Sequence, residues 1–178
     1  VKTNWGASTI EIIDLTTNAV TGSVPIPVDA INAAFTPDGT EIWVNSVDSG
    51  TVGVVDIATL TASSFNITHS NPGGPYTGTT GIRFSPAGDF AYVGNAADGR
   101  ISVVDTSTFA EITTITIGHE PGAMDFSPDG TKALVVIGPT KSIGFIDTNT
   151  HTLSTTFDVT TLGFDFPNEA VFSLDGSQ

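Results

Sequence analysis

The most constraining feature of the sequence is a short turn motif that occurs four times along the chain. A Phe, a Ser or Thr and a turn of the Pro-Asp-Gly kind recur at spacings of 49, 42 and 46 residues. The four copies are Phe35-Thr-Pro-Asp-Gly39, Phe84-Ser-Pro-Ala-Gly88, Phe126-Ser-Pro-Asp-Gly130 and Phe172-Ser-Leu-Asp-Gly176. Periods of roughly 40 to 50 residues indicate one supersecondary unit that packs against copies of itself.

A second anchor is an Asp that ends an apolar run and begins a Thr-rich turn. It occurs at Asp14, Asp56, Asp105 and Asp147. Between the two anchors the residues are typical strand formers, and Pro and Gly fit the turns because Pro fixes φ and Gly adopts a positive φ. One repeat therefore predicts four strands, which we name A to D: the segment ending at a Phe such as Gly81–Phe84, then Glu41–Asn45, Thr51–Asp56 and Ala62–Ile67.

Four short antiparallel strands in each repeat predict an all-β fold, the β-propeller, in which every repeat is one blade. The 178 residues hold four blades' worth of strands and form a single domain. We expect this domain to be half or part of a ring of seven or eight blades. The repeat boundaries fall near residues 1–34, 35–83, 84–125 and 126–171, and residues 172–178 begin the next blade.

These residues resemble the YVTN family of β-propeller repeats, which run "SPDG…YVTN…V.VID..T" and are similar to WD40-like repeats. Ala91-Tyr-Val-Gly-Asn95 and Ile42-Trp-Val-Asn45 each match the naming motif with one change or slip, and Val1-Lys-Thr-Asn4 is similar to its tail. Leu174 replaces the turn Pro, and Ile137-Gly-Pro replaces the motif that ends in Asn. The resemblance implies the propeller fold; it implies no single activity, since the family includes surface-layer and secreted proteins and is similar to lactonase and quinoprotein propellers.

The first and last predicted strands of the chain are a strand B and a strand A, which are neighbours within one blade. A strand B is expected at Val1–Thr3 and a strand A at Ala170–Phe172, and joining the last residue to the first reproduces the spacing from Phe35 to Asn45. Three assemblies satisfy this match: part of a longer propeller, two chains joined head to tail into eight blades, or a compact four-bladed ring. Each of them pairs the strand edges that an open propeller would expose.

Charge and composition restrict the partners. The net charge is −14 with only five Lys and Arg residues, so we expect no binding to nucleic acid or insertion into a membrane, and cations or basic surfaces are the favoured partners. Cysteine is absent, which excludes disulfides and thiolate chemistry. Few Lys, many Thr and Gly, and no Cys favour an exported protein, located outside the cell, at the cell surface or in the periplasm.

A propeller blade places its B–C and D–A loops on one face, where binding residues are expected because loops on a rigid scaffold vary most. The longest D–A loop covers residues 68–80, and its Tyr76 is a candidate ligand contact over the channel mouth. Imidazole and carboxylate groups of the D–A connections could bind a divalent cation, although solvated loop residues are the plainer interpretation. The candidates are His69, His119, Glu120, Asp29 and Asp165. His151 is expected on the opposite face, at the surface.

Arg83 and Asp125 each precede the Phe of a strand A, in adjacent blades. Equal register gives equal orientation, so the two side chains are expected to face the central channel. They either form a salt bridge that fixes two blades together, or Arg83 anchors a carboxylate ligand there.

No linear catalytic motif occurs in the sequence, neither a Gly-x-Ser-x-Gly elbow nor a His-Glu-x-x-His zinc motif. We therefore expect a non-catalytic binding or scaffold module that contacts its partner through the B–C and D–A loops, with no cofactor required. The alternative is a propeller enzyme of the lactonase or quinoprotein type, with a metal or cofactor at the channel mouth.

Overall fold

The computed structural model describes residues 2–4, 8–28, 30–46, 49–68, 79–163 and 167–178. In this part of the chain the structure is all-β, with fifteen strands and two short 3-10 helices at Gly138–Thr140 and Val159–Leu162. The prediction of an all-β chain is confirmed. No described helix is both long and apolar enough to cross a membrane.

The strands form four antiparallel sheets in chain order. The first sheet contains β1 (Lys2–Asn4), β2 (Thr9–Asp14) and β3 (Ala19–Pro25), and the second contains β4 (Ala30–Phe35), β5 (Glu41–Ser46), β6 (Thr51–Asp56) and β7 (Thr61–Asn66). The third contains β8 (Thr79–Phe84), β9 (Phe90–Asn95), β10 (Arg100–Asp105) and β11 (Glu111–Thr116), and the fourth contains β12 (Met124–Phe126), β13 (Lys132–Ile137), β14 (Ser142–Asp147) and β15 (Thr152–Asp158).

Within each sheet every strand pairs with its neighbour in sequence, so each sheet is a simple meander. The predicted repeat boundaries at residues 35, 84 and 126 fall at the last residues of β4, β8 and β12, because the second, third and fourth sheets begin with a strand that ends in Phe. Successive sheets lie side by side: β8, the first strand of the third sheet, lies between β4 and β12.

The hydrophobic cores lie between successive sheets. Side chains of a β-strand alternate between its two faces, so one middle strand contributes to two cores. On β5, Ile42 and Val44 lie in the core shared with the first sheet, whereas Trp43 lies in the core shared with the third. On β9, Val93 faces the second sheet and Tyr92 faces the fourth. The middle sheets are thus buried on both faces.

The core between the second and third sheets is built around Trp43, which is fully buried. Its ring contacts Phe65 and Phe84 edge-on, with centroids 5.0 Å away in both cases, and Phe109 at 5.6 Å. Its indole N–H donates to Glu41 Oε2 at 2.9 Å. Three of these four rings come from different strands of the two sheets, and Phe109 comes from a turn, so the cluster joins the two sheets.

The predicted strand at Ala170–Phe172 is the clearest difference from the sequence analysis. Residues 167–173 adopt no regular secondary structure. A strand is held by a backbone ladder, and none of the described strands pairs with these residues. The backbone N–H of Phe172 instead donates to Asp125 Oδ2 at 2.8 Å.

Replacing the central ring of this core should cost stability. We expect Trp43→Ala to lower the free energy of unfolding by about 3–5 kcal/mol, because it removes a fully buried aromatic side chain and leaves a cavity. Ile112→Ala is the control, since Ile112 is 54% exposed on β11. Urea unfolding of both variants measures the difference, and equal losses would contradict this view of the core.

Candidate functional site

The two ends of the sheets differ in construction. The turns between the first and second strands and between the third and fourth strands lie at one end, called here the turn end. The opposite end is called here the loop end. There, a backbone N–H just after the last strand of each sheet donates to a carbonyl of the loop between the two preceding strands. These bonds are Ile26 to Ser8, Ile67 to Gly50, Ile117 to Gly99 and Val159 to Lys141, at 2.8 to 3.0 Å.

Each turn that follows a first strand is closed by a carboxylate. Asp38 Oδ1 accepts from the Thr36 hydroxyl at 2.6 Å, and from the backbone N–H and the hydroxyl of Thr40 at 3.1 and 2.9 Å. Asp129 and Asp175 repeat this arrangement in their own turns. The second copy has Ala87 in place of the Asp.

In that copy the carboxylate comes from a residue two positions later. Asp89 Oδ1 accepts from the Ser85 hydroxyl at 2.5 Å. The turns that follow the third strands use Asp14, Asp56, Asp105 and Asp147, which accept backbone N–H groups two or three residues further on. The carboxylates of the turn end are therefore engaged by their own turns, which fits the expectation that they are turn formers.

These hydrogen bonds favour the charged form of the carboxyl groups. The hydroxyl of Ser173 and the backbone N–H of Ser177 lower the pKa of Asp175 to about 2. The Thr36 hydroxyl and the Thr40 backbone N–H likewise lower the pKa of Asp38. The other turn carboxyls with a lowered pKa are Asp14, Asp56, Asp105 and Asp129.

A carboxyl group with a lowered pKa in the folded state stabilises the fold above its unfolded pKa and loses this contribution as the pH falls through its folded value. We therefore expect Asp38→Ala to be less stable than wild type at pH 6, with the difference shrinking below about pH 4. Ala87 holds the matching position in the next turn, so the substitution is compatible with the turn. Urea midpoints from pH 6 to pH 2 measure it, and a difference that does not depend on pH would contradict the assignment.

A cleft of about 240 Å³ lies along the first strands of the second, third and fourth sheets. Its lining residues are Asn32, Thr80, Gly81, Ile82, Arg83, Gly122, Ala123 and Met124. The Arg83 side chain is exposed, and its Nη1 donates to the Ile82 carbonyl at 3.0 Å. The cleft thus places one cation beside the first strands of three successive sheets.

The predicted salt bridge between Arg83 and Asp125 is not formed in the described structure. Asp125 Oδ2 accepts the backbone N–H of Phe172, and Arg83 donates to its own neighbour in β8. The carboxylate is held by the segment that follows the fourth sheet, an interaction between residues 47 positions apart that the register of the first strands could not predict.

Thr80 and Pro121 leave no room for a side chain at Gly94. A Cβ added to Gly94 would lie 2.3 Å from Thr80 Oγ1 and 3.2 Å from the ring of Pro121. The strand β8 has an irregular register between Thr79 and Ile82, which places Thr80 opposite this glycine. A side chain at position 94 would displace the first strand that lines the cleft.

We expect Gly94→Ala to destabilise the protein by about 1–3 kcal/mol, because it forces a methyl group into occupied space. Thr80→Gly removes the clashing hydroxyl, so the double variant should recover part of the loss. A double-mutant cycle from urea unfolding measures the coupling, and strictly additive effects of the two substitutions would show that the contact does not matter.

The metal candidates of the loop end are only partly described. His119 and Glu120 are exposed in the connection between β11 and β12. Within the described ranges no three His, Asp or Glu side chains gather as they would to hold a metal ion. The other three metal candidates, His69, Asp29 and Asp165, lie outside the described residues. The candidate ligand contact Tyr76 also lies outside them.

His151 is partly buried at the turn end, where the sequence analysis expected a surface residue. Its Nδ1 lies 3.1 Å from the hydroxyl of Tyr92, and its ring contacts Phe90 edge-on with centroids 5.0 Å apart. It has the same place in its sheet as Phe109 in the third sheet, at a positive φ in the turn after the third strand. Burial lowers the pKa of His151, while the charges of Asp89 and Asp147 oppose this effect.

Asn95, the last residue of the naming motif, has a role that the sequence analysis missed. It is buried, and its Nδ2 donates to the carbonyl of Thr68 at 3.2 Å. Thr68 begins the long connection between the second and third sheets, and its backbone N–H donates to Glu111 Oε2 at 2.9 Å. Asn95 and Glu111 thus fix the start of this connection at the loop end, and the recurring Asn was the available signal.

Two comparisons with known proteins found similar chains. No family model matches the sequence. The uncharacterized protein YwhL of Bacillus subtilis strain 168 is 33% identical over 167 residues, which cover 93% of this chain and 33% of the relative. The chain therefore spans about a third of the length of this curated relative.

Among solved structures, a chain of hydrazine synthase from Kuenenia stuttgartiensis superposes with a TM-score of 0.73 at 27% identity. The match covers 84% of this chain and 42% of the synthase chain. Both similar proteins are thus longer than the region they share with this chain.

Proposed function

We propose that the chain is part of a YVTN-type β-propeller that serves as a non-catalytic binding or scaffold module of an exported or cell-surface protein. In this proposal the four sheets are blades of a ring of seven or eight, and the first strands of the blades line the channel. The meander order of each sheet, the side-by-side first strands and the cores between successive sheets support this interpretation.

The observation that carries the functional proposal is the difference between the two ends. At the turn end, the described Asp side chains are bound within their own turns, so the end is uniform and rigid. At the loop end, the connections between sheets differ in length from four residues after β3 to twelve residues after β7. Unequal loops on a repeated scaffold are where specificity is usually located, so we assign partner binding to the loop end.

The charge distribution is consistent with this assignment. Eight turn carboxylates lie at the turn end, namely Asp14, Asp38, Asp56, Asp89, Asp105, Asp129, Asp147 and Asp175. They lie against few cations, and such a surface repels anionic partners such as nucleic acid or anionic lipid. A partner that approaches the loop end avoids most of this charge.

An enzyme is the second candidate, and one observation favours it. One solved structure similar to this chain is named a hydrazine synthase, with 27% identity over 84% of this chain. In this alternative the chain would contribute blades to a catalytic propeller of the lactonase or quinoprotein type, with a metal or cofactor held at the loop end by residues that include His119.

Metal analysis of the purified chain separates the two candidates. A non-catalytic module without a metal site predicts substoichiometric metal that does not change in His119→Ala. His151→Ala is the control, since it changes a histidine at the opposite end. Stoichiometric metal that is lost in His119→Ala but retained in the control would contradict the binding-module proposal and favour the enzyme.

A further inference from the structure

One position of the repeat reaches from a sheet back to the sheet before it. It is the fourth residue after the Asp that ends β2, β6, β10 or β14, and its φ is positive, between 52° and 56°, in all four copies. The four residues are Asn18, Leu60, Phe109 and His151. Phe109 contacts Trp43 of the second sheet, and His151 contacts Phe90 of the third. Of these four side chains, only that of His151 changes its charge near neutral pH.

The hydroxyl of Tyr92 determines which form of His151 fits the contact. Tyr92 lies on β9 and is fully buried, and the one hydrogen-bond partner of its hydroxyl among the described residues is His151 Nδ1, at 3.1 Å. A buried hydroxyl proton needs an acceptor, and Nδ1 accepts only in the neutral imidazole that carries its proton on Nε2. The Tyr92 hydroxyl therefore donates to Nδ1, and the contact favours the neutral ring.

Protonation of His151 is incompatible with this contact. Both ring nitrogens of an imidazolium are donors, so Nδ1 no longer accepts. The Tyr92 hydroxyl proton is then buried without an acceptor in the described part of the chain, which costs free energy. The ring also packs edge-on against Phe90, with centroids 5.0 Å apart, and this apolar neighbour does not solvate a charge.

Two carboxylates face His151 and oppose this effect. Asp89 comes from the turn before β9 and Asp147 ends β14, and the negative charge of each favours the imidazolium. Burial is the larger influence, so the pKa of His151 is lowered in spite of them. Burial also raises the pKa of Tyr92, and the charge of Asp147 adds to this, so the Tyr92 hydroxyl keeps its proton.

We propose that His151 is a pH-sensitive latch between the third and fourth sheets. In its neutral form it accepts the Tyr92 hydroxyl and holds the turn 147–151 against the third sheet. In its protonated form, reached in mildly acidic solution, it releases this hydroxyl and the turn loosens. The strands on both sides of the contact are described, so the latch depends neither on the ring of blades nor on the binding role proposed above.

The latch acts in a defined pH range. The ordinary pKa of a His side chain is 6.5, and burial places the pKa of the folded His151 below this value. Between the two values the unfolded chain binds more protons than the folded chain. The stability that the contact contributes is therefore complete above about pH 6.5 and is lost as the pH falls through the folded value.

Urea unfolding of the wild type and of His151→Phe tests this dependence. Phe is the matched substitution, because Phe109 holds the same position in the third sheet at a similar positive φ. We expect the urea midpoint of the wild type to fall relative to that of His151→Phe as the pH drops from about 8 to about 5. Midpoints that change in parallel would overturn the latch.

NMR follows the ring and the turn separately, with His151→Phe assigning the ring signal. We expect the ring to titrate with a midpoint below 6.5. The amides of residues 148–152 should shift with the same midpoint, whereas those of residues 106–110, the matching turn with Phe109, should not. A midpoint at or above 6.5, or a ring titration that leaves residues 148–152 unchanged, would overturn the proposal.

The variant Tyr92→Phe distinguishes the hydrogen bond from burial alone. It keeps the aromatic ring and removes the hydroxyl, so the neutral form of His151 loses the donor that favours it. We expect the NMR midpoint of His151 to move upward in this variant, towards 6.5, while circular dichroism shows the same β-rich spectrum as the wild type. An unchanged or lower midpoint would show that the Tyr92 hydroxyl does not control the protonation of His151, and would overturn the latch.

Discussion

The structure depends on one constraint: a short strand with apolar residues on both faces needs an apolar neighbour on each side. In β5, Ile42 and Val44 face one way and Trp43 the other, and all three are fully buried. A single four-stranded meander cannot bury both sets of side chains. Its strands pair edge to edge, which leaves both faces of the sheet exposed. The sheets therefore stack in chain order, and each core belongs to two successive sheets rather than to one repeat.

The turn end converts this stacking into a fixed geometry. Each Asp turn is closed by its own hydroxyl and backbone donors. The turn glycines Gly88, Gly130 and Gly176 approach the ring of the Pro in the preceding turn, at Pro37, Pro86 and Pro128. In the third and fourth sheets a further bond joins the two kinds of turn: the Thr106 and Thr148 hydroxyls donate to the carbonyls of Gly88 and Gly130 at 2.6 Å. The Asp carboxylates of the turn end already accept hydrogen bonds within their own turns. Their number therefore does not indicate a binding site.

The loop end has the opposite character, because the fold fixes only where its connections begin and end. Backbone bonds such as that from Ile117 to Gly99 and the Asn95 bond to Thr68 hold the bases of these connections. What lies between the bases is free to differ from one sheet to the next. The two similar proteins extend well beyond the region that they share with this chain.

The sequence by itself determined the strands and turns. The predicted strands Glu41–Asn45 and Thr51–Asp56 match β5 and β6 to within a residue, because turn chemistry and strand-forming residues act locally and need no partner to be recognised.

Only the tertiary structure decided which side chains meet across the sheets. His151 contacts Tyr92 over a separation of 59 residues, Asp125 binds the Phe172 backbone instead of Arg83, and Ala170–Phe172 is not a strand. Strand twist and the packing of neighbouring sheets set these distances, and neither is encoded in the spacing of one repeat. A strand also requires a ladder partner, so residues with a strand-like sequence remain irregular where no second strand lies beside them.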